Sequence, residues 1–366
     1  MKISLQRETI VASLQNIIGA VEKRQTIPVL GNVLLVAKEG SLLMAATDTE
    51  IELQASIEAS VDEPGEITVP GRKLLDICKA LPDESVIRFD LDDQRMRITS
   101  GRSRFLVTTL PARDFPLSDS SNEGVAIEVP ANLLSDAIRR TSFSMAVQDV
   151  RFYLNGLLLE LSNQALRAVA TDGHRLAFST AEIEASLDEP IRSIIPRKSV
   201  MELGRLIPSG DESITLWVSA LRLRVQLGNV TMTTKLIDGR FPDYNRVIPV
   251  DCDKSLVIDK ALLVQTLSRA SILSNEKYRG IRMKFEAGRL QVSTNNPDHE
   301  EATDELEISY DAEPIEIGFN VGYLLDAFNR IETENVRLLL KDGNSSCLVM
   351  PLDSDDVKYV VMPMRL

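Results

Sequence analysis

The stretch VPGRKLLDICKAL (Val69–Leu81) returns as IPRKSVMELGRLI (Ile195–Ile207), and a worn third form stands at FNVGYLLDAFNRI (Phe319–Ile331). Other landmarks repeat in the same order. AATDTE (Ala45–Glu50) answers to VATDGH (Val169–His174) and more loosely to VSTNNP (Val292–Pro297), while Phe115-Pro116 answers to Phe241-Pro242. A period of about 125 residues is too long for a solenoid. It predicts one domain written three times in 366 residues, at 1–125, 126–253 and 254–366, each long enough to bury its own core.

Read closely, the first copy opens with alternation at Met1–Leu5, a strand, and then a helix over Arg7–Glu22 with Ile10, Leu14, Ile17 and Val21 on one face. Leu30–Val36 and Leu42–Ala46 form a hairpin around Glu39-Gly40, and Ile51–Ala59 leads to the turn at Pro64-Gly65. A second helix, Gly71–Leu81, buries Leu74, Ile77, Cys78 and Leu81 and stops before Pro82. Strands at Val86–Asp90, Arg95–Ser100 and Phe105–Leu110 finish the unit. The later copies repeat this with helices at Asn132–Met145, Arg197–Ile207, Lys260–Ile272 and Val321–Ile331. Few helices among many hairpin-connected strands define an α+β unit, with helices on one face of antiparallel sheets.

The net charge of −13 opposes simple electrostatic binding to nucleic acid unless the cations gather on one surface. They do gather. Aligned second helices place Arg72 on Lys198 and Lys79 on Arg205, two turns apart and off the apolar stripe. In the first helices Arg140 falls on Arg269. The third copy has Gly322 and Asn329 at the paired positions, and the first has Asn16 where Arg140 stands, so the basic surface is uneven. Cations on one helix mean only a solvated face; cations repeated in register point to a function. The surplus acid lies in loops and strand ends, as at Asp90–Asp93, Glu300-Glu301 and Asp353–Asp356.

No phosphate loop, dinucleotide fingerprint or nucleophile elbow is present. Two histidines, His174 and His299, and three scattered cysteines, Cys78, Cys252 and Cys347, supply no metal-ligand spacing and argue for a reducing cytosol without disulfides. No leader or membrane span is expected. His174 follows the turn signal Asp172-Gly173, which reads as a strand-end position rather than a catalytic base. The sequence stays apolar to its last residues, where Met364 and Leu366 follow Pro363: either the end of a packed strand or an adaptable binding surface.

The whole length resembles the bacterial replicative sliding clamps, the β subunits of DNA polymerase III. The resemblance rests on PVLGN (Pro28–Asn32), SGRSRF (Ser100–Phe105), YLNG (Tyr153–Gly156), ATDGHRLA (Ala170–Ala177), DGRFPDY (Asp238–Tyr244), ILSNEK (Ile272–Lys277), GFNV (Gly318–Val321) and VVMPMRL (Val360–Leu366). It implies three tandem clamp domains per chain, with two chains forming a homodimeric ring of six domains around duplex DNA. Antiparallel sheets would lie outside and two helices per domain inside. The implied role is non-catalytic and cytoplasmic: a processivity factor that needs no cofactor, no metal and no membrane. A clamp loader would open it, and the replicative polymerase and other clamp-motif proteins would bind it.

The resemblance assigns three sites. For DNA it implies Arg24, Arg72, Gln148, Phe152 and Tyr153, to which the repeat adds Lys79, Arg140, Lys198, Arg205 and Arg269; Phe152 stands where relatives carry Tyr. For ring closure it implies Phe105 and Val107 against Ile272 and Leu273, with Lys73, Arg102 and Arg104 facing Glu300, Glu301 and Asp304. For partner peptides it implies a cleft lined by Leu154, Thr171, Gly173, His174, Arg175, Leu176, Pro242, Arg246, Val247, Tyr278, Asn320, Tyr323 and Ser346. The terminal Val360, Val361, Met362, Pro363, Met364, Arg365 and Leu366 complete it. Tyr278 replaces a Phe of a relative. The alternative is an acidic interaction scaffold of the same fold that does not encircle DNA, and a hydrolase using His174 has no supporting constellation.

Overall fold

The computed structural model describes residues 1–22, 27–118, 123–208 and 210–365. The first copy runs β1 (Lys2–Gln6), α1 (Arg7–Ile17), β2 (Asn32–Lys38), β3 (Ser41–Thr47), β4 (Ile51–Glu58), β5 (Ser60–Glu63), β6 (Gly65–Pro70), α2 (Gly71–Ala80), β7 (Val86–Asp92), β8 (Arg95–Ser100) and β9 (Ser103–Thr108). The second runs β10 (Val125–Pro130), α3 (Ala131–Thr141), β11 (Gly156–Leu161), β12 (Ala165–Thr171), β13 (Arg175–Glu182), β14 (Ile191–Pro196), α4 (Arg197–Leu206), β15 (Ser213–Val218), β16 (Arg222–Leu227) and β17 (Val230–Lys235). The third runs β18 (Lys254–Asp259), α5 (Lys260–Ser271), β19 (Gly280–Glu286), β20 (Arg289–Asn295), β21 (Glu301–Glu307), β22 (Ile315–Asn320), α6 (Val321–Phe328), β23 (Asn335–Leu340), β24 (Cys347–Pro351) and β25 (Val357–Val361).

Pairing follows one rule in every copy. The first strand joins the last three, and the middle strands join each other, all antiparallel, with β5 of the first copy the one exception, paired to β1. Between copies the last strand of one pairs with a middle edge strand of the preceding one: β17 with β4, and β25 with β13. Ladders therefore cross the repeat boundaries, and packing groups the chain into two compact units, Met1–Asn132 with Met201–Leu236 and Leu133–Val200 with Ile237–Leu366. The first unit holds the sheets β5-β1-β7-β8-β9 and β10-β15-β16-β17-β4-β3-β2-β6. The second holds β14-β11-β12-β13-β25-β24-β23-β18 and β21-β20-β19-β22. Among the described residues β9 and β21, the counterparts of the strands paired across the repeat boundaries, pair on one side only, with β8 and β20.

The two internal junctions share one register. Ladder positions counted from the first strands lead from Ile127 through Leu216 and Val225 to Met232, and from Leu256 through Leu338 and Val349 to Tyr359. Met232 lies opposite Leu53, and Tyr359 lies opposite Ala177, at equivalent points of the middle strands. The same count in the first copy leads from Ile3 through Phe89 and Ile98 to Phe105 on the open edge of β9.

Sequence periodicity locates each helix, and the structure trims them. α1 ends at Ile17 and tightens into a 3-10 turn over Ile18–Ala20, as helix ends commonly do. α2 buries Leu74, Leu75 and Cys78, while Ile77 is only half-buried. Its first residue is glycine because an added Cβ at Gly71 would meet Val33 Cγ2 at 2.9 Å. The strand expected at Ile51–Ala59 is β4, which ends at Glu58 and pairs with β3; a further strand, β5, follows from Ser60 and crosses to pair with β1. In the second unit α5 and α6 set Leu263, Leu267, Leu324 and Phe328 into one core with Met283, Phe285, Leu338 and Tyr359. Burying each such side chain is worth about 1.5–3 kcal/mol. Among the described residues no helix is long and apolar enough to cross a membrane.

Candidate functional site

The turn from β12 to β13 explains the repeated Thr-Asp string. Thr171 Oγ1 donates to Arg175 O at 2.6 Å and accepts from Gly173 N at 3.1 Å, while Asp172 Oδ1 accepts from His174 N at 2.9 Å and Arg175 N at 3.0 Å. Thr47 and Asp48 build the same turn in the first copy. The third copy slips by one residue. Ladder pairing places Ser293, not Val292, beside Arg282 as Val169 lies beside Leu158, so Asn295 rather than Thr294 matches Thr171.

Several expected cleft residues come together around that turn. His174 is exposed and stacks on Tyr323, with centroids 6.3 Å apart and planes 19° apart. The Arg175 guanidinium lies 4.5 Å from the Tyr323 centroid, bonds Asp172 at 3.0 Å and Asp326 at 2.5 Å, and donates to Phe143 O. Burial pushes the Tyr323 hydroxyl above its ordinary pKa. Met362 N donates to His174 O at 3.0 Å, tying the terminal segment to the turn. Leu176 and Val360 are opposite each other on β13 and β25 and share an apolar cluster with Tyr153, Val247 and Tyr244. Leu154, Thr171 and Val361 are buried. Gly173, Pro363, Met364 and Ser346 are half-buried, and Pro242, Arg246, Tyr278 and Arg365 are exposed. Asn320 caps α6 through Gly322 N and Tyr323 N and donates to Tyr278 O at 3.1 Å. Leu366 lies outside the described residues.

A buried linkage beneath this surface was not legible in the sequence. Tyr244 donates to Glu160 Oε2 at 2.6 Å, and Arg192 pairs with Glu160 Oε1 at 2.6 Å. Burial, reinforced by that bond to Glu160, pushes the Tyr244 hydroxyl up to about 12. It pins the segment carrying Pro242, Arg246 and Val247 to the sheet. No group of three or more His, Cys, Asp or Glu suited to a metal is found among the described residues.

The expected DNA residues differ in how free their charge is. Lys79 is exposed, and Arg72 is exposed with one bond to Val21 O at 3.2 Å. Lys198 lies in the first turn of α4 and is exposed. Arg205 instead closes the end of α1, donating to Gln15 O at 3.2 Å and Asn16 O at 2.6 Å, with Glu202 at 2.8 Å. Arg140 lies 3.5 Å from Asp136 and 3.9 Å from Glu332, and Arg269 bonds Asp304 at 2.6 Å. Gln148 takes φ +55, and Phe152, 55% exposed, meets Tyr153 edge-on at 5.8 Å beside an almost fully exposed Val150. Arg24 lies outside the described residues.

The residues expected at the ring junction sit on the two open edges. Arg102 is exposed in the turn before β9; on β9 Arg104 and Leu106 are exposed, and Phe105 and Val107 alternate with them; Lys73 is exposed on α2. On the other edge, Glu300 and Glu301 are exposed and Asp304 is half-buried, its carboxyl held below the ordinary range by Arg269. Ile272, 77% exposed, and the half-buried Leu273 follow α5.

Three family models cover the chain: the DNA polymerase III beta subunit N-terminal domain at residues 1–119, its central domain at 128–243 and its C-terminal domain at 245–365. The beta sliding clamp of Pseudomonas putida is 47% identical over 367 residues, spanning 100% of both chains. A crystal structure of the DNA polymerase sliding clamp of Pseudomonas aeruginosa with ligand superposes with a TM-score of 0.97 at 46% identity over 100% of both chains. A second from that organism, bound to griselimycin, gives 0.96 at 47%, again over 100% of both. The chain belongs to the DNA polymerase III beta subunit family, the bacterial sliding clamps.

Proposed function

We propose that two of these chains, each of three domains at 1–125, 126–253 and 254–366, close head to tail into a ring that encircles duplex DNA without catalysis. The observation that carries this is the shared register of the two internal junctions, beside two open edges of the same kind. A heterologous contact that repeats with a closing rotation makes a ring. Outer-face positions run Ile194–Leu158–Val169–Phe178 in the second copy and Gly318–Arg282–Ser293–Thr303 in the third. Lys358 lies opposite Phe178, and Thr231 lies opposite its counterpart Gln54. Carrying that register to the open edges sets Arg104 of one chain opposite Thr303 of the next, Phe105 opposite Ala302, and Leu106 opposite Glu301. Arg104 then stands diagonally between Glu301 and Glu305, within reach of both.

The apolar centre also follows from the internal junction. Ile272 and Phe143 each lie twelve residues beyond the first residue of their helix. Phe143 packs edge-on against Tyr359 at 5.5 Å, so Ile272 would meet Phe105. Exposed cations such as Lys79 and Arg72 give sequence-blind phosphate contacts that permit sliding. The His174–Tyr323–Val360 cleft takes the short motif of the polymerase, the clamp loader and other partners, and griselimycin is expected to bind this chain. The ring works in the bacterial cytosol.

The test is a double variant, Leu106→Cys with Glu301→Cys, in a chain whose native cysteines are replaced. Oxidation should yield a closed dimer on a denaturing gel, whereas Leu106→Cys with Glu300→Cys, one residue out of register, should not. The ring, loaded reduced on a nicked circular plasmid by its loader and oxidised afterwards, should leave only when the plasmid is cut. Crosslinking by the off-register pair, or retention on cut DNA, would overturn the proposal.

A further inference from the structure

The outer face of the third copy differs from the other two in a way that the ring does not explain. In the first copy Leu110 N donates to Thr68 O, and the segment continues to Phe115, which packs over Leu34 and Ala45. In the second, Ile237 N donates to Ile194 O, and the segment through Tyr244 covers Leu158, Val169 and Phe178. In the third, Met364 N donates to Gly318 O at the same place. The positions that are Leu34/Leu158, Ala45/Val169 and Gln54/Phe178 become Arg282, Ser293 and Thr303, and they line an open groove of about 860 Å³ with Tyr278, Met364 and Arg365. The track that holds an extended segment twice within the chain is here polar and uncovered among the described residues.

Its charge reverses that of the molecule. In a chain of net charge −13, Arg282 and Arg365 line the groove, and Lys277 lies 5.2 Å from the Tyr278 ring centroid at its edge. Arg365 is exposed and has no partner among the described residues, and Arg282 is half-exposed with Glu316 at 3.2 Å. The one acid lining the groove, Glu301, is at the strand edge and is drawn to Arg104 when the ring closes. Tyr278 and Met364 belong both to this groove and to the partner cleft, so the two are continuous.

We propose that the groove takes an extended acidic segment flanking the motif of a partner already seated in the cleft. It rests on the cleft being the partner site, and the experiment separates the two. Griselimycin bearing a Gly-Ser spacer and a hexaglutamate tail is compared by calorimetry, at low salt, with the same molecule bearing hexaglutamine. The acidic tail should tighten binding at least fivefold and move the Met364 methyl resonance. In Lys277→Gln with Arg282→Gln, both exposed positions, the gain should vanish while untailed griselimycin binds as before. Equal affinities for the two tails, or a gain that survives in the variant, would overturn the proposal. Failure of untailed griselimycin to bind would overturn the cleft reading beneath it.

Discussion

Truncating Ile272 to alanine should open the ring without unfolding the chain. Its side chain is 77% exposed in the single chain, so nothing in that chain's core depends on it. In the proposed ring it would take, at the junction, the place that Phe143 occupies against Tyr359. Removing its buried methyl and methylene groups costs about 2 kcal/mol at roughly 0.8 kcal/mol each. A two-membered ring has two identical junctions, so one substitution costs about 4 kcal/mol per dimer. At about 1.4 kcal/mol per tenfold, that is a rise of roughly 10²–10³ in the dimer Kd. Sedimentation velocity over a dilution series reads the change directly, and a thermal melt of the dissociated variant checks that the fold is intact. A Kd raised less than about fivefold would mean that Ile272 is not in the junction and that the carried-over register is wrong.

Other residues separate structural from functional charge. Arg205→Gln removes the cation that closes α1 through Gln15 O and Asn16 O and should cost about 1–2 kcal/mol in urea unfolding, whereas Lys79→Gln should leave unfolding unchanged and weaken DNA contact in low salt. Tyr244→Phe strips a donor from buried Glu160 and should cost about 1–3 kcal/mol. Because folding raises the Tyr244 pKa from 10.0 to about 12, its stabilisation is complete below pH 10 and is lost as pH climbs through that interval; the gap between wild type and Tyr244→Phe in urea melts should shrink there. Gly173 has φ +88, and an added Cβ would stand 2.8 Å from the Arg151 guanidinium. Gly173→Ala should therefore cost about 1–2 kcal/mol and displace Arg151 from Asp172 O, to which it donates at 3.1 Å, visible as faster amide exchange in the turn.

The repeat made the fold legible because the helix-opening strings keep their apolar spacing: Leu74, Val200 and Leu324 are all buried at the same position. Strand order within a copy followed from hairpin turns. Sheet membership did not, since nothing local to Ala59 announces that β5 leaves the sheet of β4. The third copy's Val-Ser-Thr misled by one residue because a string match ignores which face a side chain takes, and only ladder pairing fixes that. Among the site residues, exposed Arg72 and Lys79 could be read from helix periodicity. The commitments of Arg205 to α1 and of Arg140 to Glu332 could not, because those partners are remote in sequence.

Closing the ring raises one electrostatic difficulty, and the chain answers it internally. Asp304 alternates with Glu301, Thr303 and Glu305 and lies on the same side as Ala302, toward the helices. A partner strand pairing along β21 therefore desolvates it, and an unpaired carboxylate there would cost several kcal/mol. Arg269 already holds it at 2.6 Å, so closure covers an ion pair rather than a lone charge. That pairing takes Arg269 from the set of free helix cations and, in the proposed ring, would leave Glu301 and Glu305 to meet Arg104 on the solvent side. In the proposed ring the solvent-side pairs would be screened by salt, while a Phe105–Ile272 contact would not. Ionic strength should thus change the rate at which chains meet far more than the rate at which the ring falls apart. Stopped-flow assembly and dilution-induced dissociation, each followed from low to high salt, would refute this if dissociation carried the larger salt dependence.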